Sequence, residues 1–149
     1  MATDTIRKAR PGDAPAIARL IRQSKADAMP WLATPHTLAE DDEWVSGMML
    51  PTHDVRVMVS FTDQRALLGV VVLSPGWIDH LYVATSEQGR GVGSRLLRLA
   101  QRRTAEDLQL WAFQRNVRAR DFYERRGFVE LRRTDGENEE IEPDVLYRW

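Results

Sequence analysis

Cysteine is absent from this chain, which removes disulfides, a thiol nucleophile and any thiolate metal site. Histidine is scarce, at positions 36, 53 and 80, too scattered to suggest a metal cage. No run approaches the ~18 apolar residues that a membrane span needs. The opening Met1-Ala-Thr-Asp-Thr-Ile-Arg lacks the apolar core of a signal peptide. Net charge is only −1, which argues against nucleic acid as the main partner. Repeats, low-complexity tracts and linkers are also missing. The 149 residues therefore read as a single domain, 1–149, of a cytoplasmic enzyme that engages neither membrane nor nucleic acid.

What is present is ordinary for a folded domain: 43% hydrophobic and 29% charged residues, enough to bury a core. The charge is unevenly spread. Between Arg90 and Arg133 there are twelve arginines against five acids, and from Asp135 to Asp144 six acids and no base. A basic middle suits a polyanionic ligand, while solvated helix faces account for many of the same arginines.

Local patterns predict a mixed α/β chain in the order βααβββαβαββ. A short strand at Ile6–Ala9 leads through Arg10-Pro-Gly-Asp13 into a helix whose face is Ile17, Leu20, Ile21 and Ser24, ending near Ala26. Residues 28–36 are irregular, punctuated by two prolines. Thr37-Leu-Ala-Glu40 is a capping box that starts a second helix through Met49. Leu38, Val45, Met48 and Met49 are expected to face inward, with Pro51 closing the helix. Residues 55–61 and 67–73 read as a hairpin about Asp63-Gln64, and 77–83 as a third strand. Then come helix 91–105, strand 108–114 running parallel to 77–83, helix 117–126 capped by Gly127, strand 128–133, the acidic loop and a last strand, 145–149.

The rest is organised around Gln88-Gly-Arg-Gly-Val-Gly-Ser-Arg-Leu-Leu97, at a strand-to-helix turn. Glycines there reach left-handed angles and let a ligand approach the main chain. The first N–H groups of the helix have no internal acceptor, and the helix dipole adds partial positive charge, which suits phosphate oxygens. It is not a P-loop, because no Lys-Ser/Thr pair follows the glycines. The spacing Gly89-x-Gly91-x-Gly93 also lacks the last glycine of a dinucleotide fingerprint.

Gln88-x-x-Gly91-x-Gly93 resembles the Gln/Arg-x-x-Gly-x-Gly/Ala signature of the GNAT superfamily of acetyl-CoA-dependent N-acetyltransferases. Asn116-Val-Arg-Ala-Arg-Asp-Phe-Tyr-Glu-Arg-Arg-Gly-Phe128 resembles that family's Asn-x-x-Ala-x-x-Phe-Tyr-x-x-x-Gly-Phe motif. The resemblance covers nearly the whole chain, most strongly residues 76–128. It implies a GNAT-like acyltransferase fold in which strands 77–83 and 108–114 splay apart to admit the pantetheine arm. It further implies acetyl transfer from acetyl-CoA, as co-substrate and without a metal, to a primary amine on a small molecule or peptide. With no cysteine to carry an acyl group, attack would be direct, in a ternary complex. A longer acyl-CoA, or a CoA-binding sensor without turnover, are the alternatives; homodimerisation is left open.

By that resemblance, Leu81, Tyr82 and Val83 lie along the pantetheine. Gln88, Gly89, Arg90, Gly91, Val92, Gly93 and Ser94 hold the pyrophosphate, with Asn116 and Ala119 beside the arm. Tyr123 protonates the departing thiolate. Asn116 equally suits a helix N-cap, and Tyr123 an ordinary core aromatic. Many family members carry a Glu as general base where this chain has Trp77. Strict alternation puts Asp79 on the side of Trp77 and His80 on the other, unless a bulge re-aims it. Both are candidates for the base, with water relay as the fallback. Trp31, His36, Glu43 and Trp44 form an aromatic and acidic group suited to an ammonium-bearing acceptor. They equally suit a lid packed on the core.

Overall fold

The computed structural model describes residues 3–104 and 106–149. Ala105, where the helix predicted over 91–105 would end, lies outside the described residues. Among the described residues, seven strands form one sheet in the order β1-β2-β3-β4-β5-β7-β6. They are β1 (Thr5–Lys8), β2 (Asp54–Val59), β3 (Leu67–Ser74), β4 (Trp77–Val83), β5 (Gln109–Phe113), β6 (Val129–Thr134) and β7 (Asp144–Arg148). The helices are α1 (Ala14–Ala28), α2 (Leu38–Trp44), the one-turn α3 (Leu50–Thr52), α4 (Val92–Arg103) and α5 (Val117–Glu124). The predicted mixed α/β class and element order hold. The chain order β6-β7 is reversed in space, because β7 inserts antiparallel beside β5.

β3 shows why the sheet is covered on both faces. Its β-branched run is buried from Leu68 to Leu73, the signature of a strand with no solvent side. Val70 and Val72 pack with Ile17, Ala18, Val45 and Met49 beneath α1 and the helix that follows it. Val71 packs on the opposite face with Val92, Leu96, Leu97 and Tyr147. Gly69 is required on that second face. A Cβ there would stand 2.8 Å from Val92 Cγ1 and 2.9 Å from Leu96 Cδ1, so the missing side chain lets the start of α4 settle onto the sheet.

The second helix departs from expectation. Thr37 caps it as predicted, accepting from the Glu40 N–H at 3.2 Å. It then passes through a π-helical turn, Val45–Met49, and runs on through Pro51 to Thr52. The π-turn carries the chain past a proline that has no N–H to give. Val45 and Met49 are buried, but Leu38 and Met48 face outward at 37% and 50% exposure.

β4 is bulged. Val72 pairs with His80 but Leu73 with Ile78, leaving Asp79 as the extra residue. Ile78 packs in the core beneath α4, yet His80, two residues on, lies edge-on to Trp44 of α2 on the opposite face. The bulge breaks strict alternation and re-aims His80.

Candidate active site

Two features of β4 and α4 create an opening in the sheet. β4 and β5 run parallel but pair only at Trp77 with Gln109, supported by the Gln109 N–H bond to Gly76 O at 2.9 Å. Beyond that rung they separate. Ala84 N–H donates to Leu68 O at 2.8 Å, which fixes the alternation of the strand's main-chain groups. Those of Leu81 and Val83 therefore point to the β5 side, where no ladder takes them. One is occupied from elsewhere: Ser24 Oγ of α1 donates to Val83 O at 3.0 Å.

The turn after β4 ends at the start of α4. Gly89 and Gly91 have φ of +77° and +82°, and a Cβ on either would meet no protein atom within 4 Å. Gly91 is the N-cap. The first N–H of α4 with an acceptor is that of Arg95, bonded to Gly91 O at 3.0 Å, so the amides of Val92, Gly93 and Ser94 have no partner among the described residues. Such a turn with open space before it suits an anion. A Cβ on Gly93 would sit 3.4 Å from both Phe122 and Val83, so this glycine serves packing between α4, α5 and β4. Arg126, which sequence reasoning passed over, reaches Ser94 Oγ at 2.9 Å with its guanidinium 3.9 Å over the Phe122 ring. Arg90 has a mostly exposed side chain, 3.6 Å from Glu87.

α5 presents the second motif. Asn116 caps it, Oδ1 accepting from Ala119 N–H at 3.2 Å, while its Nδ2 reaches Met29 Sδ at 3.4 Å. Tyr123 is buried at 8% exposure between Phe122 and Phe128, and its hydroxyl has no protein partner among the described residues. Burial raises its pKa well above the ordinary phenol value. Tyr82 is raised in the same way, by burial first and then by the nearby Tyr123 and Glu140.

A cavity of about 1070 Å3 lies between α1, α2, the 29–36 segment and the β6–β7 loop. His36, Glu43, Trp44 and His80 all line it, together with Glu140 of the acidic run and Lys25, which no motif marked. Burial, then the charges of Lys25 and His53, pushes the His80 imidazole down to about 4. His80 is therefore neutral in ordinary buffers. His36 bonds Glu40 through Nδ1 at 3.2 Å and Glu139 through Nε2. Both contacts raise its pKa. The other candidates are elsewhere. Trp31 stacks edge-on with Phe113 beneath the Arg115 guanidinium, outside the cavity lining. Asp79, the bulged residue, accepts from Ser74 Oγ at 2.6 Å and stands 3.7 Å from His53, also away from the cavity. Nothing local in the sequence marks Arg126 or Lys25, because each joins the site only through the packing of its element, whereas Glu140 belongs to the acidic run 135–144 that the sequence already sets apart.

Residues 52–130, more than half of the chain, match the family model described as acetyltransferase (GNAT) domain. The chain belongs to the GNAT acetyltransferase family. A protein of Mycobacterium tuberculosis named "Probable N-acetyltransferase" is 44% identical over 52 residues. That stretch covers 34% of this chain and under a third, 30%, of the relative. Among solved structures, this GNAT chain superposes on apo YjaB of Escherichia coli with a TM-score of 0.80, 22% identity, and 98% and 97% of the two chains covered. It superposes on the PaiA N-acetyltransferase of Thermoplasma acidophilum, solved with coenzyme A, with a TM-score of 0.75, 13% identity and 98% of each chain covered. At these identities the likeness is one of fold. Among the described residues of this GNAT domain, no group of three His, Cys, Asp or Glu is placed to hold a metal, and no helix is long and apolar enough to cross a membrane.

Proposed function

We propose that this GNAT domain transfers an acetyl group from acetyl-CoA to a primary amine, by direct attack within a ternary complex. The observation that carries the reading is the pairing of unpaired main-chain amides at the α4 start with the parted edge of β4. In it the amides of Val92, Gly93 and Ser94 hold the pyrophosphate, and Gly89 and Gly91 keep side chains out of its way. Arg90 and Arg126 add charge beside it. Leu81, through its main-chain N–H and C=O, and Val83, through its N–H, take the pantetheine amides; β5 leaves these groups free, while Ser24 holds Val83 O.

The acceptor enters from the cavity on the other side of β4. Its nitrogen must be neutral to attack, and a free amine of pKa ~10.4 is mostly ammonium at neutral pH. His80, held neutral, accepts a hydrogen bond from the ammonium or from a water that relays its proton. The N–C bond forms, the C–S bond breaks, and a thiolate departs. Tyr123 keeps its proton through the neutral range and donates it to that sulfur, and the second proton lost by the acylated nitrogen returns through water to reprotonate Tyr123. A main-chain N–H of the Leu81–Val83 segment stabilises the intermediate oxyanion.

Thiol release from acetyl-CoA with a panel of amines tests this reading. Release should depend on the amine, and Gly91→Val should weaken CoA binding at least tenfold in a protein that still folds, read by calorimetry. Undiminished affinity in folded Gly91→Val would overturn the assignment of the pyrophosphate site.

A further inference from the structure

The cavity also bears on what carries the amine, an inference that rests on the acceptor reading above. It has apolar and acidic walls. Trp44 and Met48 line it while remaining 44% and 50% exposed, uncovered surface of the kind that marks ligand grooves. Glu40, Asp41, Glu43, Glu139 and Glu140 supply five carboxylates. Arg22 takes Asp41 at 2.8 Å, and His36 stands between Glu40 and Glu139. Glu43 of α2 and Glu140 of the β6–β7 loop have no salt-bridge partner among the described residues. Lys25, the remaining cation, lies with its Nζ 6.0 Å over the Tyr82 ring.

The loop bearing Glu139 and Glu140 is held in a costly shape. Ile141 has a φ of +54°, strained for a β-branched residue. Gly136, at φ +114°, makes room for it, since a Cβ there would meet Ile141 C at 2.8 Å. Asn138 bonds Glu142 O at 2.7 Å and Asp144 Oδ2 at 3.0 Å, and Thr134 bonds the other oxygen of Asp144. A braced loop that keeps strain and turns two carboxylates toward a cavity is shaped for what the cavity takes.

We infer that the acceptor is a dication, an amine joined by an apolar spacer to a second positive centre, with the spacer against Trp44 and Met48 and the second charge between Glu43 and Glu140. One spacer length with three ends tests this: hexylamine, 1,6-diaminohexane and 6-aminohexanoate as acceptors at saturating acetyl-CoA and low salt. The diamine should exceed hexylamine in kcat/KM by about tenfold, the size of one or two partly exposed charge pairs, and 6-aminohexanoate should fall below both. The double variant E43Q/E140Q should collapse the diamine-to-hexylamine ratio to about two, the statistical value for two equivalent amines. A diamine-to-hexylamine ratio of about two or less in the parent, or preference for 6-aminohexanoate, would overturn the inference; the latter would make Lys25 the reader of an anionic end. A second readout needs no turnover. With CoA bound, hexane-1,6-bis(trimethylammonium) should bind about tenfold tighter than hexyltrimethylammonium, by calorimetry. Tighter binding of the dication without turnover of any amine would sustain the inference and count against acetyl transfer. Equal binding would count against the inference alone.

Discussion

At the residue scale, burial decides what Tyr123 and His80 can do. Tyr123 combines a buried ring, a hydroxyl without a protein partner and a pKa raised above the phenol norm. Its hydroxyl stays protonated throughout the neutral range, so the alkaline limb of kcat should not descend below pH ~10 on its account. Tyr123→Phe should lower kcat about a hundredfold with less change in acetyl-CoA affinity, in the range of a lost general acid; steady-state rates with calorimetry check it. A kcat within twofold of the parent would return Tyr123 to an ordinary core aromatic. His80 gives a stability signature. Its folded pKa, about 4, lies below the unfolded 6.5, so protons favour the unfolded chain. Its contribution is complete above pH 6.5 and lost as pH falls toward 4. His80→Gln should flatten that acid-side fall in melting temperature, measured between pH 7 and 4. His36 has the opposite sign: its pKa is raised by Glu40 and Glu139, so its contribution is present below 6.5 and fades as pH rises through the folded value.

At the element scale, the placement of α4 governs the proposed phosphate end of the site. The glycines of the turn stand out in sequence, but Gly69 on β3 sets how deeply the helix sits. Gly69→Ala forces its methyl into Val92 and Leu96, at 2.8 and 2.9 Å, and near Tyr82 O at 3.1 Å. The expected cost is about 1–3 kcal/mol, as for other overpacked cores, read as a lower midpoint in urea. Because Val92 opens α4, the same change should weaken CoA binding although residue 69 touches no ligand. An unchanged midpoint together with unchanged affinity would show that the helix shifts freely over the sheet. β4 teaches a similar lesson. Its apolar pattern marked the strand, but alternation alone put Asp79 and His80 on the wrong terms. The inserted residue could be located only once Val72 and Leu73 had found their partners.

At the scale of the whole molecule, the site exists because β7 enters between β5 and β6 while β4 and β5 keep one rung. β5 is thus anchored by five pairs to β7 and is free to diverge from β4. α1 secures the other side of the gap, Ser24 bonding Val83 O and Thr85 Oγ1 bonding Asp27. The cavity is likewise assembled from distant parts, with His36 and Glu139 meeting across 103 positions.

The sequence by itself determined the periodic elements, the cap at Thr37, the glycine turn and the Asn116–Phe128 motif, because each is encoded within one or two turns of chain. Periodicity predicted the mixed α/β order, and the resemblance of the two motifs to GNAT signatures pointed to the family. Tertiary structure decided what depends on partners far along the chain: the bulge that turns His80, the inserted β7 and the exposed Met48 within a π-turn. It also brought Arg126 beside Ser94 and assembled the acidic cavity. Those are contest outcomes between packing surfaces, and no local pattern carries them.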